Sequence, residues 1–232
     1  MDKPASTGAR IPRYLRGHFL LFDAKPRASY PSGTGLRLLI AFLVLEAVIG
    51  PRFHLFTLLG LPQPASWIRV VALLALALAL VKLFARLDLS RIGFVAWREW
   101  SVAEKSYFVQ VIVIANVIFA LVVGSARVNA PDWEAVVAVN FLWGFYQELA
   151  YRGMLQTELT RRFGATAGVL LANAAYTFGP LHFYHFAGAS PIAMFAAIFA
   201  IGLYFGVLRH RSGNLWMPAV FHGIGTAWIL GA

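Results

Sequence analysis

The chain contains no cysteine. That excludes disulfides, thiolate zinc sites and cysteine nucleophiles. Charge is scarce as well. Only 13% of the 232 residues are Asp, Glu, Lys or Arg, where a soluble domain carries about a quarter. The four aspartates (Asp2, Asp23, Asp88, Asp132) fall in loops or at the ends of apolar runs, so no aspartyl pair sits within a run. No HExxH pair occurs, which removes that arrangement of zinc ligands. Gly188-Ala189-Ser190-Pro191 lies in a loop and lacks the trailing glycine of a rhomboid-like serine turn.

What remains is strongly apolar: 59% hydrophobic residues and a mean hydropathy of +0.68. Seven runs have the composition of membrane helices: Leu36–Ile49, Ile68–Phe84, Tyr107–Gly124, Trp133–Met154, Thr166–Phe183, Pro191–Leu208 and Leu215–Leu230. Phe53–Leu61, closed by Pro62, is an eighth span, a re-entrant piece or an extension of the first run. Unsatisfied backbone is costly in hydrocarbon, so the runs must be helical. The expected fold is an all-α, polytopic membrane helix bundle of seven or eight transmembrane helices, occupying residues 35–232 as one domain.

Residues 1–34 carry Lys3, Arg10, Arg13, Arg16, Lys25 and Arg27. They read as a basic cytoplasmic arm resting on headgroups, not as a cleavable signal peptide. The segments at 85–105, 155–165 and 209–214 are basic, whereas those at 125–132 and 184–190 share a single Arg. This alternation fits seven spans in an inner (plasma) membrane with a cytoplasmic N-terminus and an outer C-terminus, Arg52 and Arg69 being the misfits. The net charge of +10 is spread between the runs. It suits a bilayer with anionic headgroups rather than nucleic acid.

Charge inside a span costs several kcal/mol, so each intramembrane carboxylate is a candidate for function. Two qualify, Glu46 and Glu148. Glu46 has no partner in its own run and reads as a snorkelling, helix-pairing or functional residue. Glu148 has Arg152 four residues on, on the same helix face. The plain reading of that pair is a structural ion pair. Two histidine sites weigh against it. His182 closes the fifth run, with His185 beyond it, and His222 lies in the seventh, four residues before Thr226. Helical rise places Glu148 about 20 Å, His182 about 24 Å and His222 about 16 Å from the cytoplasmic surface. All three fall near the middle of a core about 30 Å thick.

Hydrolysing a peptide bond in hydrocarbon needs an activated water, and elimination leaves Glu148 and the histidines to do it. A carboxylate in low dielectric is a better general base; Arg152 opposes that by holding Glu148 ionised. One histidine can share the proton of the water and pass it to the leaving amine. The other, helped by a hydroxyl or amide, can stabilise the oxyanion. Helix opening near Gly179-Pro180 would admit water.

Gln147-Glu148-x-x-x-Arg152-Gly153, Phe178-x-x-x-His182 and His222-x-x-x-Thr226 resemble the three motifs of the CPBP family, EExxxR, FxxxH and HxxxN or D. That family includes type II CaaX prenyl endopeptidases and bacterial relatives linked to bacteriocin self-immunity. The resemblance covers about 130–226, including Arg161-Arg162-Phe163-Gly164 and Gly213-Asn214-Leu215-Trp216. It implies a glutamic-type intramembrane endopeptidase without cofactor or catalytic metal. Its partner would be a membrane-anchored protein substrate, cut in a C-terminal segment. The implied catalytic set is Glu148, His182, His222, Arg152 and Gln147, with His222 and Thr226 positioning water or oxyanion. A metal bound by His182, Glu148 and His222 is the alternative that older views of such families suggest. A myxosortase-like sorting branch fits the Ala-, Leu- and Arg-rich composition better than prenyl-protein processing.

Two positions depart from the pattern. Gln147 stands where the family assigns water activation to a glutamate, and an amide cannot be a general base. Either Glu148 takes that role, or the chain is inactive, or an engineered Glu→Gln exchange is present. Thr226 replaces the Asn of the third motif. The rival reading is a catalytically impaired member that binds peptide as an immunity or scaffold protein. A proton-coupled carrier is the third reading, and no inverted repeat supports it.

Overall fold

The computed structural model describes residues 11–23, 29–49, 66–123, 133–182 and 191–229. The eighth-span candidate Phe53–Leu61, the loops at 125–132 and 184–190, Arg52 and His185 lie outside the described residues. Among the described residues the fold is all-helical and contains no strand. Its helices are α1 (Ser32–Ile49), α2 (Ser66–Ala79), α3 (Val102–Val123), α4 (Trp133–Glu148), α5 (Gln156–Phe163), α6 (Ala165–Phe178), α7 (Pro191–Ser212) and α8 (Trp216–Ile229). A π turn, Leu80–Phe84, prolongs α2, and another, Leu149–Leu155, joins α4 to α5 in one rod. Among the described residues three helical stretches are long and apolar enough to cross a bilayer: Trp67–Phe84, Val102–Val122 and Pro191–Ser212.

The burial pattern is that of a protein dissolved in lipid. Apolar side chains point outwards, Leu121 being 80% and Ile192 86% exposed. Polar side chains gather inside, among them Gln147, Glu148, Arg152, Gln156, Asn173 and Thr177. In water this inversion would be ruinous; in hydrocarbon it is the stable arrangement.

Helix–helix contact then depends on small residues and interhelical hydrogen bonds. Arg152 and Gln156, four apart on one rod, donate to the carbonyls of Gly202 and Gly206, four apart on α7, each at 2.8 Å. A Cβ on Gly202 would collide with Asn173 and Arg152, so only glycine allows this approach. Between α5 and α6 the chain turns at Gly164 with φ +82°, in the left-handed region that favours glycine.

The helix expected over Thr166–Phe183 ends earlier, at Phe178. Pro180 explains it: proline disfavours helical geometry in the residue before it, and Gly179 is extended. His182 therefore sits in a turn beyond the helix. Residues 11–23, part of the basic N-terminal stretch, pack on the bundle. They fold back on α3, where His18 stacks edge-on against Tyr107 and pairs with Gln110 at 2.5 Å.

One end of the bundle is closed by a charged clamp. The buried Glu158 carboxylate accepts two bonds from Arg161 (2.8 and 2.7 Å), one from Arg162 (2.5 Å) and one from Tyr30 (2.9 Å). Burial alone would raise its pKa, but the hydrogen bonds from Arg161, Arg162 and Tyr30 win, and hold it below the ordinary value. A lowered folded-state value means the clamp is fully stabilising above the unfolded carboxylate pKa of about 4.3. It is lost as pH falls through the native value. Glu158→Gln is expected to cost about 2 kcal/mol at neutral pH and to flatten the acid limb of the thermal-stability profile in detergent. Parallel acid limbs for both proteins would contradict this.

Candidate active site

Glu148 is the last residue of α4 before the π turn. A π turn adds a residue to the helical repeat and is frequent at functional sites. Here every residue from Leu149 to Leu155 is buried, which a regular amphipathic helix would not allow. Side chains on both sides of the turn consequently face the bundle interior.

Glu148 is fully buried and held by two other groups. Its Oε1 lies 2.9 Å from Nδ1 of His222 on α8, and its Oε2 lies 3.5 Å from Nε of Arg152. The guanidinium also stands over the Tyr176 ring at 4.2 Å and donates to Gly202 O at 2.8 Å. The reach from α4 to α8 depends on glycine at the crossing. A Cβ on Gly144 would come within 2.5 Å of Thr226 Oγ1 and 2.9 Å of the Gly223 nitrogen.

With Nδ1 of His222 facing a carboxylate, the ring proton belongs on Nδ1 and the lone pair on Nε2. That Nε2 stands 3.5 Å from the Tyr176 hydroxyl, which donates to Gln147 Oε1 at 3.2 Å. His182 is fixed similarly: its Nδ1 donates to the Tyr176 carbonyl at 2.7 Å, placing the neutral ring's lone pair on Nε2. Both rings meet Tyr176 edge-on, at centroid separations of 4.8 Å for His182 and 6.1 Å for His222.

Gln147, Tyr176, His182, His222 and Thr226 line one cavity of about 910 Å³. The structure thus brings the predicted residues together from α4, the turn after α6, and α8. Glu148 and Arg152 do not line the cavity; they stand behind His222 and Tyr176. Thr226 Oγ1 lies 2.7 Å from Asn140 O, 3.0 Å from His222 O and 3.1 Å from Gly223 O. Its single proton is thus committed to backbone carbonyls. Glu46 is outside the cavity too, beside the Tyr151 hydroxyl, whose ring packs edge-on against Tyr176. No group of three His, Asp or Glu side chains able to hold a metal occurs among the described residues.

Residues 129–228 match the family model for type II CAAX prenyl endopeptidase, Rce1-like. This stretch is a CPBP-family domain. No curated protein and no solved structure matches the chain. The CPBP domain contains all three motifs and every contact among Glu148, Arg152, Tyr176, His182, His222 and Thr226. Its family is one of membrane-embedded endopeptidases acting on membrane-anchored proteins.

Sequence reading missed Tyr176, the hub of the site, and Asn173, whose Oδ1 accepts from Arg152 at 3.4 Å. Both are polar groups in an otherwise apolar run, and that was the available signal. It also missed that Gly202 and Gly206 receive the donors of Arg152 and Gln156. Removing Arg152 would leave a buried carboxylate without its cation, which typically costs 3–5 kcal/mol. Arg152→Ala is expected to prevent accumulation of folded protein. Arg152→Lys should recover it only partly, because an ammonium cannot span both Glu148 and the Gly202 carbonyl. Thermal melting of purified variants checks the order wild type, Lys, Ala.

Proposed function

We propose that this chain is an intramembrane endopeptidase, cutting a membrane-associated protein substrate near its C-terminus, with water activated by His222 under the control of Glu148. The observation that carries this reading is the 2.9 Å contact between Glu148 and His222 Nδ1, which leaves Nε2 as the base beside the shared cavity.

In this scheme a water between His222 and His182 attacks the scissile carbonyl, and its proton passes to His222 Nε2. Glu148 stabilises the imidazolium, as carboxylates do in hydrolytic triads. His222 then protonates the leaving amine as the C–N bond breaks. Gln147, whose oxygen is engaged by Tyr176, turns its NH₂ towards the cavity and donates to the oxyanion. His182 orients the water through Nε2. Arg152 stands beside Glu148 as its countercharge but touches no reacting atom, so it is a positioning residue. Thr226 is given a structural part, tying α4 to α8. The finer localisation that goes with this reading is a multi-pass protein of the inner (plasma) membrane, with seven crossings and a cytoplasmic N-terminus.

A second reading is favoured by Gln147, which lines the cavity where the family has a carboxylate. On that view the chain binds a peptide without cutting it. The two are separated by measuring truncation of a co-expressed membrane-anchored candidate substrate. His222→Ala and Glu148→Gln are expected to lower cleavage per folded molecule at least a hundredfold, roughly the contribution of a general base. Gln147→Glu is expected to change the rate by much less. If wild type is inert and Gln147→Glu cuts, the binding-only reading stands.

A further inference from the structure

The cavity is not central along the bundle. Its walls include Val70 at the start of α2, Phe119 near the end of α3, Asn140 early in α4, Met194 at the start of α7 and Ile229 at the end of α8. In an up-and-down bundle these positions share one end. The opposite end collects the cations. Arg37 opens α1, Arg86 follows α2, Lys105 opens α3, Arg161 and Arg162 close α5, and Arg209 and Arg211 close α7. That this end is one surface is confirmed by contacts across it. Tyr30 meets Glu158, Leu215 N donates to Gly93 O at 2.8 Å, and Arg209 donates to Thr157 at 3.4 Å. Arg69 is the one Lys or Arg near the cavity end among the described residues.

Two helices bordering the cavity, α3 and α7, are tied by Tyr107 and Tyr204, whose hydroxyls lie 2.5 Å apart. Beyond this tie Val111 and Phe119 on α3, and Ile198 and Ile201 on α7, line the cavity wall away from the basic end. Ile201, on this wall, is exposed.

Lys and Arg concentrate on the cytoplasmic side of a membrane protein. The clustered cations therefore assign the clamp end to the cytoplasm and the end towards which the cavity is offset to the far side. We propose that the site is loaded from the non-cytoplasmic side of the membrane, so that its substrate class is an exported, membrane-anchored protein whose anchoring segment reaches the histidines from outside. A soluble cytoplasmic peptide would meet the basic rim and the clamp instead. This inference rests on the protease reading for the word substrate, but the sidedness of the cavity stands or falls independently of it.

The absence of cysteine makes the test direct. Gly225 lines the cavity, and a Cβ placed there meets nothing within 4 Å, so Gly225→Cys fits without displacing a neighbour. Arg211→Cys, at an exposed position on the basic rim, is the reference. Each variant is expressed in cells and treated with a membrane-impermeant maleimide, from outside in intact cells and from inside in inverted vesicles. The expected result is labelling of Gly225→Cys in intact cells only and of Arg211→Cys in inverted vesicles only. Labelling of both from the same side, a reversed pattern, or no labelling of Gly225→Cys from either side overturns the proposal. Labelling as expected, with no substrate cut by any variant, would sink the protease reading and leave the sidedness intact.

Discussion

The structure depends on one buried carboxylate. Glu148 is fully buried, and hydrocarbon offers no hydrogen bonds, so its carboxylate has to be met by protein. Arg152 supplies the countercharge from one turn away, and His222 supplies a hydrogen bond from another helix. Each partner then needs its own support. Arg152 draws α7 inwards through the Gly202 carbonyl and holds Tyr176 beneath its guanidinium. His222 requires α4 and α8 to cross closely, which the bare Cα of Gly144 permits. The packing of four elements thus follows from the cost of leaving a single charge unpaired.

The same economy shapes the chemistry. A histidine pinned through Nδ1 must offer Nε2 to its other neighbour, and that neighbour is the cavity. Tyr176 sits between the two histidines, and its backbone carbonyl fixes His182 while its hydroxyl faces Gln147 and His222. Glu148 is shielded from the cavity and touches it only through His222. The CPBP motif glutamate at the preceding position would face the cavity directly, and here an amide does. The cavity is accordingly lined by two imidazoles and an amide where the family pattern would place a carboxylate.

Much of this was legible in the sequence, because membranes make polarity informative. Glu148, Arg152, His182 and His222 stood out as polar residues where none is tolerated without a reason, and helical rise put the carboxylate and both histidines at similar depth. The motif order then tied them to one family. What could not be read were the features that depend on backbone detail. Periodicity cannot reveal the π turn after Glu148, since the run is apolar on all sides. The early end of α6 was signalled by Gly179-Pro180, but hydrophobicity continues past it and masked the break. Tyr176 resembles any aromatic core residue until its neighbours are known. Thr226 was read as a donor to substrate because sequence shows a hydroxyl without showing which carbonyls claim it.

In the proposed mechanism Glu148 sets the tautomer of His222 and so makes Nε2 the base. Nitrogen-15 NMR of histidine-labelled protein in detergent tests it directly, with His222→Ala assigning the signal. A proton on Nδ1 and an unprotonated Nε2 are expected for His222, both altered when Glu148 is changed to Gln. A proton on Nε2 in the wild-type protein, or a His222 signal indifferent to that exchange, would contradict it.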